Sequence, residues 1–220
     1  MRLHKRINTP GRSDAPARRV SDGFLLDHSE DAPIRCRGVH CWQGDAPMAT
    51  TTHISLEEYL RTPFEPDAEY VRGEVQERAM GEYEHNTVQW AILDWFRRHD
   101  KTWETRTVQE QRTRLKSGNV RLPDVSVWRR DVPVQPVFNQ PQWIAIEVLS
   151  PEDRHSRVQE KIDDHRGFQV PNIWIVDPNK RIGWDCSDGN WMRKDRFEVA
   201  GTPIYLDLHQ FFEELDAAEA

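Results

Sequence analysis

Apolar positions are densest in the middle of the chain, in two short runs: Arg121-Leu122-Pro123-Asp124-Val125-Ser126-Val127 and Trp143-Ile144-Ala145-Ile146-Glu147-Val148-Leu149-Ser150. Both are rich in β-branched and aromatic residues and bounded by proline or polar clusters, which is the pattern of strands. The second run is apolar on both faces and so predicts a strand covered on both sides. Glu147 interrupts it. An isolated carboxylate there would cost several kcal/mol, so the group must be protonated, paired with a cation or bound to a metal. Asp124 opens the first run.

The flanking pattern supplies the remaining elements. Ser55 followed by Glu58 is a capping box for a short helix over Leu56–Leu60. Ala68 to Val75 reads as a strand turned at Gly73. A helix from about Glu84 to His99 puts Val88, Ile92, Trp95 and Phe96 on one side. Trp103–Val108 and Gln111–Lys116 read as strands. Beyond Glu147 two helix starts compete, at Pro151 and at Ser156, where Ser156 and Gln159 form a second capping box. The later start is expected. An unbroken helix from Pro151 would carry Lys161 about 15 Å along its axis, whereas a start at Ser156 brings it back beside the strand ends. Asn172–Asp177 is a further buried strand, a hairpin turn at Asp188-Gly189 follows, and Leu206, Leu208, Phe211, Phe212 and Leu215 mark a closing helix. The expected class is α/β, a mixed β-sheet flanked by helices. Residues 1–47, without apolar period and scattered with Pro10, Pro16, Pro33 and Pro47, read as a disordered N-terminal extension. Met48 is then the expected natural start, and residues 48–220 form one domain.

Composition narrows the classes. With 37% hydrophobic residues, 30% charged and nine Trp, the bulk of the chain can close a core. No apolar run reaches membrane-spanning length, so no membrane partner is expected. Three cysteines, Cys36, Cys41 and Cys186, suit free thiols in a reducing compartment, and the expected location is cytoplasmic. Cys36, His40 and Cys41 lack a second ligand pair at zinc spacing. A net charge of −7 does not advertise a nucleic-acid binder. Contact with DNA would need local basic strips such as Arg112, Arg114 and Lys116, which alternate on one face and otherwise read as a solvated sheet face.

Two carboxylates at neighbouring strand ends suit a hard cation such as Mg²⁺, with Mn²⁺ as a substitute, and the Val148 carbonyl would complete the oxygen set. Such an ion lowers the pKa of bound water and neutralises a phosphodiester. Lys161 would stabilise developing charge, and Glu69 would add an acid. Each residue also has an ordinary reading: Asp124 a turn acid, Glu147 an ion pair with Arg121, Lys161 an exposed helix lysine, Glu69 an edge-strand acid.

Taken in order, the motifs resemble a known family. Ser55-Leu56-Glu57-Glu58-Tyr59-Leu60, Glu69 with Gly73-Glu74, His85, Pro123-Asp124, Glu147-Val148-Leu149-Ser150-Pro151, Lys161 and Trp174-Ile175-Val176-Asp177-Pro178 are similar to the Uma-two family of restriction-endonuclease-like proteins, within the PD-(D/E)XK nuclease superfamily. The resemblance implies a restriction-endonuclease-like core and metal-dependent endonuclease activity on DNA. It also implies an acidic cluster of Glu69, Asp124 and Glu147, and a lysine, Lys161, displaced onto the following helix. A homodimer is compatible with it. His85 would be structural or substrate-side, and Ser150 a cap. The chain departs from the family at four places: Leu149 where the superfamily has its lysine, Ala68 and His165 where tyrosines are frequent, and Arg157 where an aspartate is frequent. Activity then depends on Lys161 reaching the acids. The other reading that stays open is a catalytically inactive scaffold binding DNA or a protein.

Overall fold

A computed structural model describes residues 53–78 and 81–220. The expected disordered extension and the start at Met48 lie outside the described residues. Among these, no helix is long and apolar enough to cross a membrane.

The fold is α/β with mixed sheets. Its centre is a six-stranded sheet in the order β10-β9-β8-β7-β6-β3, built from Met192–Lys194, Ile182–Asp185, Asn172–Asp177, Ile144–Val148, Val125–Arg129 and Thr105–Gln109. Only β7 and β8 run parallel. They are joined through helix α3 (His155–Gly167), because a parallel pair needs a crossover rather than a hairpin. Side-chain alternation along these strands sorts the core. Ile144, Ile146, Val148, Trp174 and Val176 face one side, where Val88, Ile92, Trp95 and Phe96 of α2 (Tyr83–Arg97) meet Leu208, Phe211 and Phe212 of α4 (Leu208–Glu219). Ala145, Ile173 and Ile175 face the other, against Val158 and Ile162 of α3. Both faces are covered, as runs apolar on both sides require.

A second sheet, β2-β1-β5-β4 (Glu74–Glu77, Ala68–Val71, Val120–Arg121, Thr113–Arg114), lies with α1 (Leu56–Arg61) over Tyr59, Tyr70, Val120 and Leu122. Strands β1 and β2 are joined by Arg72 and Gly73, both at positive φ (53° and 92°), a two-residue hairpin turn of the primed kind. Strands β11 (Arg196–Glu198) and β12 (Tyr205–Asp207) form a separate ribbon leading into α4.

Three expectations are corrected. The run Arg121–Val127 is not one strand: β5 ends at Arg121, β6 starts at Val125, and the two belong to different sheets. Pro123 lacks an N–H and fixes its φ, so the chain leaves one ladder and enters the other there. Helix α3 starts near the expected place, but its N-cap is Arg154 and Ser156 makes no cap bond. Ser150 caps nothing either; its amide donates to Asp153 Oδ2 at 2.8 Å and closes a turn.

Candidate active site

The break between β5 and β6 places Asp124 at the junction of the two sheets, almost fully buried. Its Oδ2 accepts the Val148 amide hydrogen at 2.7 Å. Its Oδ1 accepts from the Arg78 guanidinium. His85 Nε2 stands 3.5 Å from Oδ2, and the Gln89 side-chain amide donates to the Asp124 carbonyl at 3.1 Å. His85 and Gln89 are four residues apart on α2, hence on one face of it. Burial opposes ionisation of Asp124, but the His85 hydrogen bond and the charges of Arg78 and Lys161 outweigh it and hold the carboxyl well below its ordinary range. In return, and against its own burial, Asp124 raises the His85 imidazole above its usual value.

Glu147 leaves β7 on the α3 side, the face it shares with Ala145. Lys161 and His165, one helical turn apart, both reach it: Lys161 Nζ donates to Oε2 at 2.7 Å, and His165 Nε2 lies 3.4 Å from Oε1. His165 is fully buried, with its other ring nitrogen 3.4 Å from the Gln142 side-chain nitrogen. Desolvation would depress the Lys161 ammonium, yet Glu147, Glu69 and Asp124 together raise its pKa and keep it protonated. The helix therefore turns this lysine inward; its side chain is 21% exposed, not solvated as an ordinary helix lysine would be. Glu69 is not at an edge, since β1 lies between β2 and β5. Its oxygens accept from Arg121 at 2.8 Å and from the Leu122 amide at 3.1 Å. Burial opposes it, but Lys161 and Arg121 lower its pKa. Arg121 is thus taken by Glu69 and by Asp164, 2.7 Å away, and not by Glu147.

These groups wall a cleft of about 470 Å³ lined by Glu69, Arg78, His85, Asp124, Val148 and Lys161 among others. Glu147 lies behind Lys161 rather than on the wall. Among the described residues, no group of three or more His, Cys, Asp or Glu forms a ready-made metal cage. The donor chemistry nonetheless fits a hard divalent cation. Asp124 and Glu147 supply buried carboxylate oxygens beside the Val148 backbone, and each already attracts a cationic nitrogen, from Arg78 and Lys161. On the cleft wall eight carboxylates, Glu69, Glu110 and Asp124 among them, face four cations, Arg78, Arg121, Arg157 and Lys161, a carboxylate excess that a divalent ion would balance.

A family model, Uma2, described as "Putative restriction endonuclease", matches residues 56–184, more than half of the chain. The chain belongs to the Uma2 family. None of the curated proteins matches it. A solved structure from Anabaena variabilis ATCC 29413, described as a "putative nuclease belonging to DUF820", is similar at a TM-score of 0.61 and 20% identity. The match covers 74% of this chain and 99% of that one, and at that identity it shows a shared nuclease-like fold. The chain of a DrdV–DNA complex is similar only at a TM-score of 0.35, with 16% identity over 58% of this chain and 10% of that one.

Within this Uma2 chain, sequence reasoning passed over Arg78, Gln89, Glu110 and Asp164. Arg78 follows a polar strand with nothing to distinguish it from any exposed arginine. It is nevertheless 16% exposed and bridges Asp124 with Glu110, the latter at 2.7 Å. Gln89 did leave a signal: a second polar residue four positions after His85, within an otherwise apolar stripe. Of the departures from the family, His165 now has a visible contact, with Glu147, while Leu149 packs against the α3-side core. Arg112 does not join a free basic strip: it pairs with Asp67 and lies over the Tyr59 ring at 5.2 Å.

Proposed function

We propose that this Uma2 protein is a metal-dependent endonuclease hydrolysing phosphodiester bonds in DNA, with Mg²⁺ or Mn²⁺ held by Asp124, Glu147 and the Val148 carbonyl. The observation that supports it most is Lys161, half-buried against Glu147 and drawn electrostatically to Glu147, Glu69 and Asp124 beside one cleft. When bound, the metal supplies charge neutralisation on the phosphate and a more acidic water. The Asp124 carboxylate is kept ionised by Arg78 and His85, so its oxygens stay available as hard donors at neutral pH. Lys161 keeps its proton and stabilises the negative charge that develops on the phosphoryl oxygens. Water oxygen bonds to phosphorus as the bond to the leaving oxygen breaks; the proton that water loses passes to solvent, and the leaving oxygen takes one up from solvent. Glu69 holds Arg121, and Arg121 holds Asp164 on α3, which keeps the helix that bears Lys161 in place. The test is nicking of supercoiled plasmid with added Mg²⁺ or Mn²⁺. Wild type converts the plasmid, while Asp124→Ala and Glu147→Ala, with unchanged circular dichroism, do not; equal conversion by the variants removes the proposal.

A second reading has its own support. Arg78 and Lys161 already neutralise the two acids directly, as they would in a nuclease-fold scaffold that binds DNA or a protein without cutting. Calorimetry separates the two. Absent heat of Mn²⁺ binding, with retained DNA retardation, favours the scaffold.

A further inference from the structure

Helix α3 packs against the central sheet through Val158 and Ile162, and the next residue of that stripe is His165. An apolar side chain would serve packing there. The imidazole is instead fully buried between two polar side chains, Glu147 of β7 and Gln142 just before that strand. Its Nε2 lies 3.4 Å from Glu147 Oε1, and its Nδ1 lies 3.4 Å from the Gln142 side-chain nitrogen. An unprotonated nitrogen against a carboxylate would set lone pair against lone pair, so Nε2 carries a proton and donates. Nδ1 then accepts from the Gln142 amide. The backbone is held as well, since the His165 carbonyl accepts the Val170 amide hydrogen at 3.0 Å where α3 ends.

Stability alone does not favour this arrangement. Gln142 is fully buried, and among the described residues its Oε1 has no hydrogen-bond partner. An unpartnered buried polar atom costs about 1–3 kcal/mol, and turning the amide over would orphan its nitrogen instead. Polar groups kept in a core against such a penalty gather where they serve a site. Here they serve Glu147, whose two oxygens have partners of different kinds. Lys161 takes Oε2 at 2.7 Å from the cleft wall, on a long flexible stem. His165 takes Oε1 from within the core, on a short side chain one helical turn further along.

We propose that His165, backed by Gln142, is a positioning residue for Glu147 as a metal ligand: its Nε2–H fixes Oε1 from the core side, so that the carboxylate keeps one orientation toward the cation while Lys161 divides its charge between Oε2 and the phosphate. The inference rests on the metal-dependent reading for what Glu147 holds, and it adds a residue that touches neither metal nor DNA. Donors that stand behind a metal ligand in this way are worth about 10- to 100-fold in metal affinity.

The test is calorimetric titration of Mn²⁺ into wild type, His165→Gln and His165→Asn, each with the circular dichroism of wild type. A glutamine side-chain nitrogen falls where Nε2 lies and keeps the donor to Glu147. An asparagine nitrogen falls where Nδ1 lies and leaves Oε1 without one. His165→Asn is expected to bind Mn²⁺ about 10- to 100-fold more weakly than wild type, and His165→Gln to recover most of that loss. Equal affinity in the two variants overturns the proposal, because a packing defect would not tell them apart. A second readout needs neither variant nor metal: nitrogen-15 spectra of wild type with labelled histidine are expected to show the His165 proton on Nε2, and a proton on Nδ1 alone overturns the proposal. Mn²⁺ binding with the difference between the variants, but without DNA cleavage by wild type, would sink the hydrolytic reading and leave the positioning role standing. Cleavage with equal affinities would do the opposite. Absent Mn²⁺ binding by wild type would remove both.

Discussion

Asp124 draws its donors from three directions: Arg78 after β2, His85 on α2 and the Val148 amide at the end of β7. Two measurable consequences follow from this residue. Its folded pKa is depressed, so its contribution to stability is complete above the unfolded value, about 3.9, and is lost as pH falls through the lower folded value. His85 behaves oppositely. Its folded pKa is raised, so its contribution is complete below about 6.5 and disappears as pH rises through the folded value. Urea midpoints against pH should therefore fall on both sides, and His85→Asn should flatten the alkaline limb while sparing the acid limb. Arg78→Met breaks the pair and leaves Asp124 buried without its main cation. Such losses cost about 3–5 kcal/mol. If Asp124 is a metal ligand, added Mg²⁺ should raise the thermal midpoint of Arg78→Met by more than it raises that of wild type. An equal or absent rise in both would count against metal binding at Asp124.

At the scale of elements, the strands and helices that set the site were legible where the apolar pattern was strong. The doubly buried β7 and β8 and the stripe of α2 follow from residue periodicity, whereas the late start of α3 was expected from a capping box at Ser156 that does not form. What was not legible arises from tertiary partners. The split of Arg121–Val127 between two sheets depends on which ladder each half joins, and Ser156 fails as a cap because α3 already starts at His155. Arg78 could not be found at all, because its partners are 46 and 32 positions away in the chain. Close packing between elements gives a further prediction. A Cβ on Gly183 in β9 would stand 2.6 Å from the Phe197 ring and 3.0 Å from the Ile175 carbonyl oxygen. Gly183→Ala should cost about 1–3 kcal/mol, read as a fall in thermal midpoint of about 2–4 °C per kcal/mol.

For the whole molecule, the family match ends at residue 184, yet the core does not. Leu208, Phe211 and Phe212 of α4 are buried with α2 against the central sheet. Burying three such side chains contributes about 1.5–3 kcal/mol each, comparable with the entire stability of a typical domain, about 5–15 kcal/mol. Ending the chain before Leu208 should therefore abolish cooperative unfolding; a retained sharp transition would show that α4 is dispensable. The same scale bears on Lys161. Leu149, two residues after Glu147, carries no charge, so in the proposed reaction the α3 crossover supplies the cation, through Lys161. Only the assembled sheet and helix bring Lys161 to Glu147, which is why sequence could name the residue but not its contact. The most direct test is the rate at which wild type and folded Lys161→Met cleave one labelled DNA under identical Mg²⁺ or Mn²⁺. Metal-dependent cleavage by wild type, slowed at least about 100-fold by the substitution, is the predicted result. Equal rates, or no metal-dependent cleavage by wild type, would contradict the account.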